Sequence, residues 1–115
     1  MKITELVQKL NLDVRAAKEN LEREITGGYA SDLLSDVLAN SKEGNLWITL
    51  QIHQNIIGVA SMKDLAGIVL VNGREPEPET AEKAEAENIP VMVSEMPTFE
   101  LVGKLYSLGV GGTEE

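Results

Sequence analysis

Ile68-Val69-Leu70-Val71-Asn72-Gly73-Arg74 is the stretch that decides the fold. Four aliphatic residues in a row, with no polar alternation, read as a strand buried on both faces. Upstream, Asn55 is placed to cap a helix over residues 56–63, with Ile56, Val59, Ala60 and Met62 available for packing and Gly67 closing it. Downstream, Glu75-Pro76-Glu77-Pro78 is a turn and Pro78 suits a helix start. Residues 79–87 then form a helix with acids outside and Ala81 and Ala84 inward. A doubly buried strand between two helices predicts parallel pairing with right-handed crossovers.

The alternation continues on both sides. Leu46-Trp47-Ile48-Thr49-Leu50-Gln51 reads as a second buried strand, and Ile89-Pro90-Val91-Met92-Val93, ending at Ser94-Glu95, as a third. Thr98 caps a last helix bearing Phe99, Val102, Leu105 and Tyr106, stopped by Gly109. Residues 23–32 read as a short extended segment, a turn at Gly27-Gly28 and a helix cap at Ser31 or Asp32. In the helix that follows, Leu33, Leu34, Val37 and Leu38 share a face, and Gly44 stops it. Residues 13–22 admit two readings: a short strand through Val14, Ala16 and Ala17 followed by a loop, or a helix. Thr4 heads a short first helix with Leu6, Val7 and Leu10 on one face. The expected fold is a small three-layer α/β domain, with a mainly parallel sheet flanked by helices. It fills residues 1–110, with 111–115 as a flexible tail.

Composition narrows the function. A chain of 115 residues suits one domain, and 43% apolar residues furnish its core. The lack of Cys excludes disulfides, thiolate metal sites and a Cys nucleophile, and suits a reducing cytoplasm. A net charge of -9, from 19 acids against 10 bases, argues against nucleic acid and anionic membrane partners. Met1-Lys2-Ile3-Thr4-Glu5 does not open a signal peptide, and no run approaches the ~18 apolar residues of a spanning helix. A cytoplasmic location is expected.

Ligands of open parallel sheets bind beyond the carboxyl ends of the strands. That rule picks Thr26, Gly27, Gly28, Ser31, His53, Asn72, Gly73, Arg74 and Ser94 as candidate ligand-binding residues, with Gln51, Asn55, Glu95 and Thr98 beside them. Arg74 next to Gly73, near helix N-termini, suits a phosphate or carboxylate; the plainer alternative is a pair with Glu75, Glu77 or a helix C-terminus. His53, the sole histidine, is an acid, base or pH switch in one reading and a packed corner residue with one hydrogen bond in the other. No partner stands at nucleophile spacing from it. One His, no Cys and scattered acids make a poor metal site, and no cofactor is expected. Gly27-Gly28 serves either close approach by a ligand or subunit, or a tight turn. Glu77, Glu79, Glu82, Glu85 and Glu87 read as a solvated face. There is no phosphate-binding G-x-x-x-x-G-K-[ST], since Gly103-Lys104 is followed by Leu105, and no G-x-G-x-x-G or G-x-S-x-G at a strand-to-helix turn.

Residues 23–36, Arg-Glu-Ile-Thr-Gly-Gly-Tyr-Ala-Ser-Asp-Leu-Leu-Ser-Asp, resemble the signature of the DRTGG domain. Residues 47–55 and 70–76 resemble the matching downstream blocks of stand-alone members, so the likeness runs over nearly the whole chain. Glu22 stands where Asp is usual, and Glu24-Ile25 intervenes between Arg23 and Thr26. The resemblance implies a fold like the N-terminal domain of HPr kinase/phosphorylase and a tendency to homodimerise. Such domains are accessory modules of phosphate acetyltransferases and of inorganic pyrophosphatases with adenine-nucleotide-sensing CBS domains. Some stand-alone versions accompany iron-only hydrogenase genes. Stand-alone versions are often labelled serine kinases of HPr, but the phosphate-binding loop belongs to a catalytic domain that this sequence lacks.

Three functions follow as expectations. The first is a non-catalytic regulatory or interaction module, a homodimer sensing a small anion or adenine nucleotide or docking on a partner enzyme. The second is a purely structural, partner-binding subunit without a small ligand, using spare apolar residues such as Leu12, Val14, Tyr29 and Val110. The third is an enzyme using His53 with Asn55 or Glu95, for which no converging set of tuned groups is visible.

Overall fold

The computed structural model describes residues 1–112. Among them the elements follow as α1 (Ile3–Leu10), β1 (Asp13–Ala16), β2 (Gly27–Ala30), α2 (Leu34–Asn40), β3 (Asn45–Thr49), α3 (Asn55–Lys63), β4 (Gly67–Leu70), α4 (Pro78–Glu87), β5 (Val91–Val93) and α5 (Thr98–Ser107). They build one sheet of order β1-β5-β4-β3-β2. β2, β3, β4 and β5 pair in parallel, and β1 runs antiparallel along β5. The mainly parallel α/β sheet flanked by helices is the fold expected from the sequence.

Alternation along the strands sorts the core into two layers. Trp47, Ile68, Leu70 and Val91 face α2, α3 and α4 and pack with Val37, Ile56, Ile57 and Ala84. Leu46, Ile48, Val69 and Met92 face α1 and α5 and pack with Ile3, Leu6, Leu101 and Leu105. Each fully buried aliphatic side chain contributes about 1.5–3 kcal/mol toward offsetting the chain entropy lost on folding.

The strand reading of residues 13–22 is the one realised. Asp13 and Val14 register with Val93 and Met92. The strand stops at Ala17, which takes φ 58° and donates its N–H to Glu85 Oε1 at 2.8 Å. Pairing with β5 overrides the local helical preference of this segment.

The expected turn at Gly27-Gly28 is corrected: both glycines lie in β2, in register with Asn45 and Leu46. The strand is held from both sides. Outward, Gly28 donates its N–H to Gly111 O at 2.9 Å and bridges Gly112 in parallel. Residues 113–115 of the expected tail lie outside the described residues. The caps also differ from expectation. Ser31 Oγ accepts from Leu33 N–H at 3.2 Å, ahead of α2. Asp32 instead clamps the end of β3, accepting from Thr49 Oγ1 at 2.8 Å and Leu50 N–H at 2.7 Å. Helices α3 and α4 end on Asp64 and Asn88 at positive φ, a conformation these polar side chains tolerate, and α3 is therefore not closed by Gly67, which opens β4.

No helix among the described residues is long and apolar enough to cross a membrane.

Candidate functional site

The carboxyl edge of the parallel strands gathers Ser31, the segment 50–54, the segment 71–74 and the segment 94–96. Thr26, Gly27 and Gly28 are not brought there. They belong to the opposite, amino edge, where Gly27 registers with Asn45 at the start of β3. Thr26 Oγ1 donates to Glu43 O at 2.8 Å and accepts from Asn45 Nδ2 at 3.1 Å.

Asn72 and Gly73 both take positive φ, 58° and 65°, and Arg74 donates its N–H to Val71 O at 3.1 Å. This is a type I′ turn, which Asn-Gly favours. Its other amides are also engaged: Asn72 N–H reaches Met96 O at 2.9 Å and Gly73 N–H reaches Ser94 O at 2.8 Å. Ser94 is buried, and its Oγ accepts from Met96 N–H at 3.1 Å. The amides that an anion would need are thus spent inside the chain. A methyl group at Gly73 would meet Glu95 Oε1 at 2.8 Å, so an acid lies against the turn. Arg74 is exposed and makes no ion pair among the described residues. The pair with Glu75 does not form because Glu75 grips Arg15 in a fork of 2.7 and 2.8 Å. That fork lowers the Glu75 carboxyl and raises the Arg15 guanidinium. Arg74 is thus a cation without an acid partner among the described residues, on a rim that also carries Glu75, Glu77 and Glu95.

His53 is exposed, and its Nδ1 accepts from Asn55 N–H at 3.1 Å. It therefore braces the start of α3, whose N-cap is Gln54 and not the expected Asn55. No other group bonds its ring among the described residues, so neither Asn55 nor Glu95 joins it in a catalytic arrangement. Asp36 collects hydrogen bonds from Ser31, Asn40 and Tyr29, which hold its carboxyl below the usual range, while Asp36 raises the Tyr29 phenol. Tyr29 OH sits 2.9 Å from Asp36 Oδ2, a tie between β2 and α2.

A different feature lies on the α1/α5 face. Gly28 and Ala30 register with Leu46 and Ile48 and share their face, but bring almost no side chain to it. The result is a groove of about 170 Å³ lined by Gly28, Ala30, Ile48, Val102, Leu105 and Tyr106. Tyr106 closes one wall, its OH accepting from Gly112 N–H at 3.3 Å. Beside the groove, α5 turns its outer side to solvent with Phe99 85% and Tyr106 62% exposed. Gly103 lies between them.

Sequence reasoning missed this surface for a physical reason. α5 carries two apolar stripes, Phe99-Val102-Tyr106 and Leu101-Leu105-Leu108, and both have helical spacing. The structure buries Leu101 and Leu105. The available signal was the second stripe, which leaves the first without a place in the core. Of the residues expected on an apolar patch, Leu12 and Val110 are buried, and Val14 and Tyr29 are half-buried. Among the described residues, the exposed large apolar side chains are instead Leu33, Met62, Phe99 and Tyr106, and no three His, Asp or Glu residues converge as metal ligands.

No family model matches the sequence, and no curated protein matches it. A solved structure does match: the CBS and DRTGG domains of the regulatory region of Clostridium perfringens pyrophosphatase, complexed with the activator diadenosine tetraphosphate. The TM-score is 0.65 at 14% sequence identity, over 85% of this chain. The fold is CBS/DRTGG-like. The match spans 43% of the pyrophosphatase chain, which is a regulatory region by its own description.

Proposed function

We propose that this chain is a non-catalytic regulatory or interaction module, working as a homodimer or on a partner enzyme, and that its contact surface is the outer side of α5. The observation that carries the reading is the exposure of Phe99 and Tyr106 on a helix whose other stripe fills the core. Exposed aromatics clustered on a rigid element are the usual anchors of protein contacts. A hydrogenase-associated enzyme is one partner that the family resemblance raises. The test uses the double variant Phe99→Asp, Tyr106→Asp, first checked for native circular dichroism. A partner retained from cell extract by the parent chain is expected to be lost by the variant. Retention of the same proteins by both would remove α5 as the contact surface.

A second reading, sensing of a small anion or adenine nucleotide, is favoured by one observation: the exposed Arg74 guanidinium without an ion pair among the described residues. Ser31, His53, Asn72, Gly73 and Ser94 would stand near such a ligand, whereas Thr26, Gly27 and Gly28 would not. Thermal melting with AMP, ADP, ATP and diadenosine tetraphosphate tests it. A ligand at 100 times its Kd adds about 2.7 kcal/mol. A shift that vanishes in Arg74→Ala is the expected sign of a sensor. An unmoved melting curve across the panel would retire this reading.

A further inference from the structure

Resting on that contact surface, we infer that its occupant is a second copy of this chain, the two α5 helices packing antiparallel about a two-fold axis at Gly103.

Gly103 is the first argument. Glycine in a helix interior is disfavoured relative to alanine, so its presence asks for a reason. The chain itself supplies none: a Cβ built at Gly103 would meet nothing within 4 Å. A close-approaching second helix does supply one. Gly58 in α3 has the same open space and the exposed Met62 one turn after it, but Gln54, Asn55 and Ser61 share that row, which carries no aromatic and no bulky residue on its other side.

The stripe is also self-complementary. Phe99 lies one turn before Gly103 and Tyr106 about one turn after it, giving bulky, small, bulky along the solvent side. An antiparallel crossing at Gly103 sets Phe99 of each copy opposite Tyr106 of the other, where the rings can stack or meet edge to face. Such isologous pairing reuses one patch on both subunits.

Charge fixes the direction. Glu100 and Lys104 are both exposed and occupy one flank of the stripe. In an antiparallel pair, like flanks meet. Each Glu100 then faces Lys104 of the other copy, giving the pair of contacts twice over. A parallel pair would instead set that flank against the Val102 side. For chains of net charge -9, which repel at a distance, this local complementarity selects the register.

The surface is one helix wide, so association is expected to depend on concentration. Sedimentation velocity over a wide concentration range measures it. Glu100→Lys and Lys104→Glu are each expected to weaken dimerisation at least tenfold, and the double charge swap to restore it. Gly103→Leu, checked for native helix content, is expected to weaken it by a similar factor. A chain that stays monomeric at every concentration would overturn the inference while leaving the contact-surface reading to the Phe99→Asp, Tyr106→Asp capture. A dimer indifferent to Glu100→Lys and Gly103→Leu, or a charge swap that does not rescue, would overturn it as well.

Discussion

Three helices cover one face of the sheet and two cover the other. On the three-helix face Trp47 is fully buried, and its indole N–H still finds Ser31 O at 2.9 Å. Thr80 is buried there too and donates its hydroxyl to Ile52 O at 2.7 Å. Polar and apolar groups beneath the helices alike are closed off, and among the described residues only Leu33 and Met62 show large apolar side chains on the outer side. On the two-helix face Leu101 and Leu105 reach the sheet, but the edge strand offers only Gly28 and Ala30, and a groove remains. The outer side of α5 then shows two aromatics to water. The difference teaches where residues serve the fold and where they serve something outside it.

The largest test of that difference compares aromatics on the two faces. Trp47→Ala should cost about 3–5 kcal/mol, through the cavity and the orphaned Ser31 carbonyl. Phe99→Ser should change the stability of the isolated chain by no more than about 0.5 kcal/mol. Urea midpoints decide it, and similar losses at both positions would break the comparison. A middle-sized test compares glycines. Gly44 has φ 82°, and a methyl group there would meet Thr26 Cγ2 at 2.7 Å. Gly44→Ala should therefore cost about 1–2 kcal/mol or more. Gly28 has no such backbone demand, and a methyl group there would meet Ile48 Cδ1 at an ordinary 3.7 Å. Gly28→Ala should melt within a few degrees of the parent, on either side. A large loss there would mean that the groove side of β2 is not open to filling.

The smallest effect concerns the Arg15–Glu75 fork that ties edge strand β1 to the loop before α4. Hydrogen bonding to Arg15 lowers the Glu75 carboxyl in the folded chain. A lowered folded value means stability that is present above the unfolded carboxylate range and lost as pH falls through the folded value. Arg15→Ala should therefore cost under about 1 kcal/mol at neutral pH, since both groups are partly exposed. The gap from the parent chain should close as the solution becomes acidic. Chemical denaturation at a series of pH values follows it, and a gap that widened in acid would refute the assignment.

Much of the fold was readable from residues. Ile68 to Val71, with Leu46 to Thr49 and Val91 to Val93, are apolar runs that only a doubly covered sheet explains, and the helices between them follow. What escaped depends on partners distant in sequence. Val14 is strand because Met92 lies opposite it, and the Ala-rich residues after it carry no local sign of that. Gly27-Gly28 looks like a turn until β3 and Gly111 hold it straight. The candidate site was less readable. Asn72, Gly73, Ser94 and Glu95 do converge, but whether amides point to a ligand or to Met96 and Ser94 carbonyls is a matter of geometry, not residue type. On α5, two stripes of equal spacing left the inward face undecided.

The strip of backbone beside β2 also bears on the order of events in folding. Gly28 is made early, and the Gly111 carbonyl that covers its N–H is made long afterwards. Until then this margin of the sheet has a free donor, and free strand margins recruit whatever extended chain is nearby. Closing it is among the most non-local steps the chain must take, and such steps come slowly. The growing chain thus carries this unfinished margin until Gly111 is made, and Gly28, with no side chain to anchor a stranger, keeps that margin a poor place to stick.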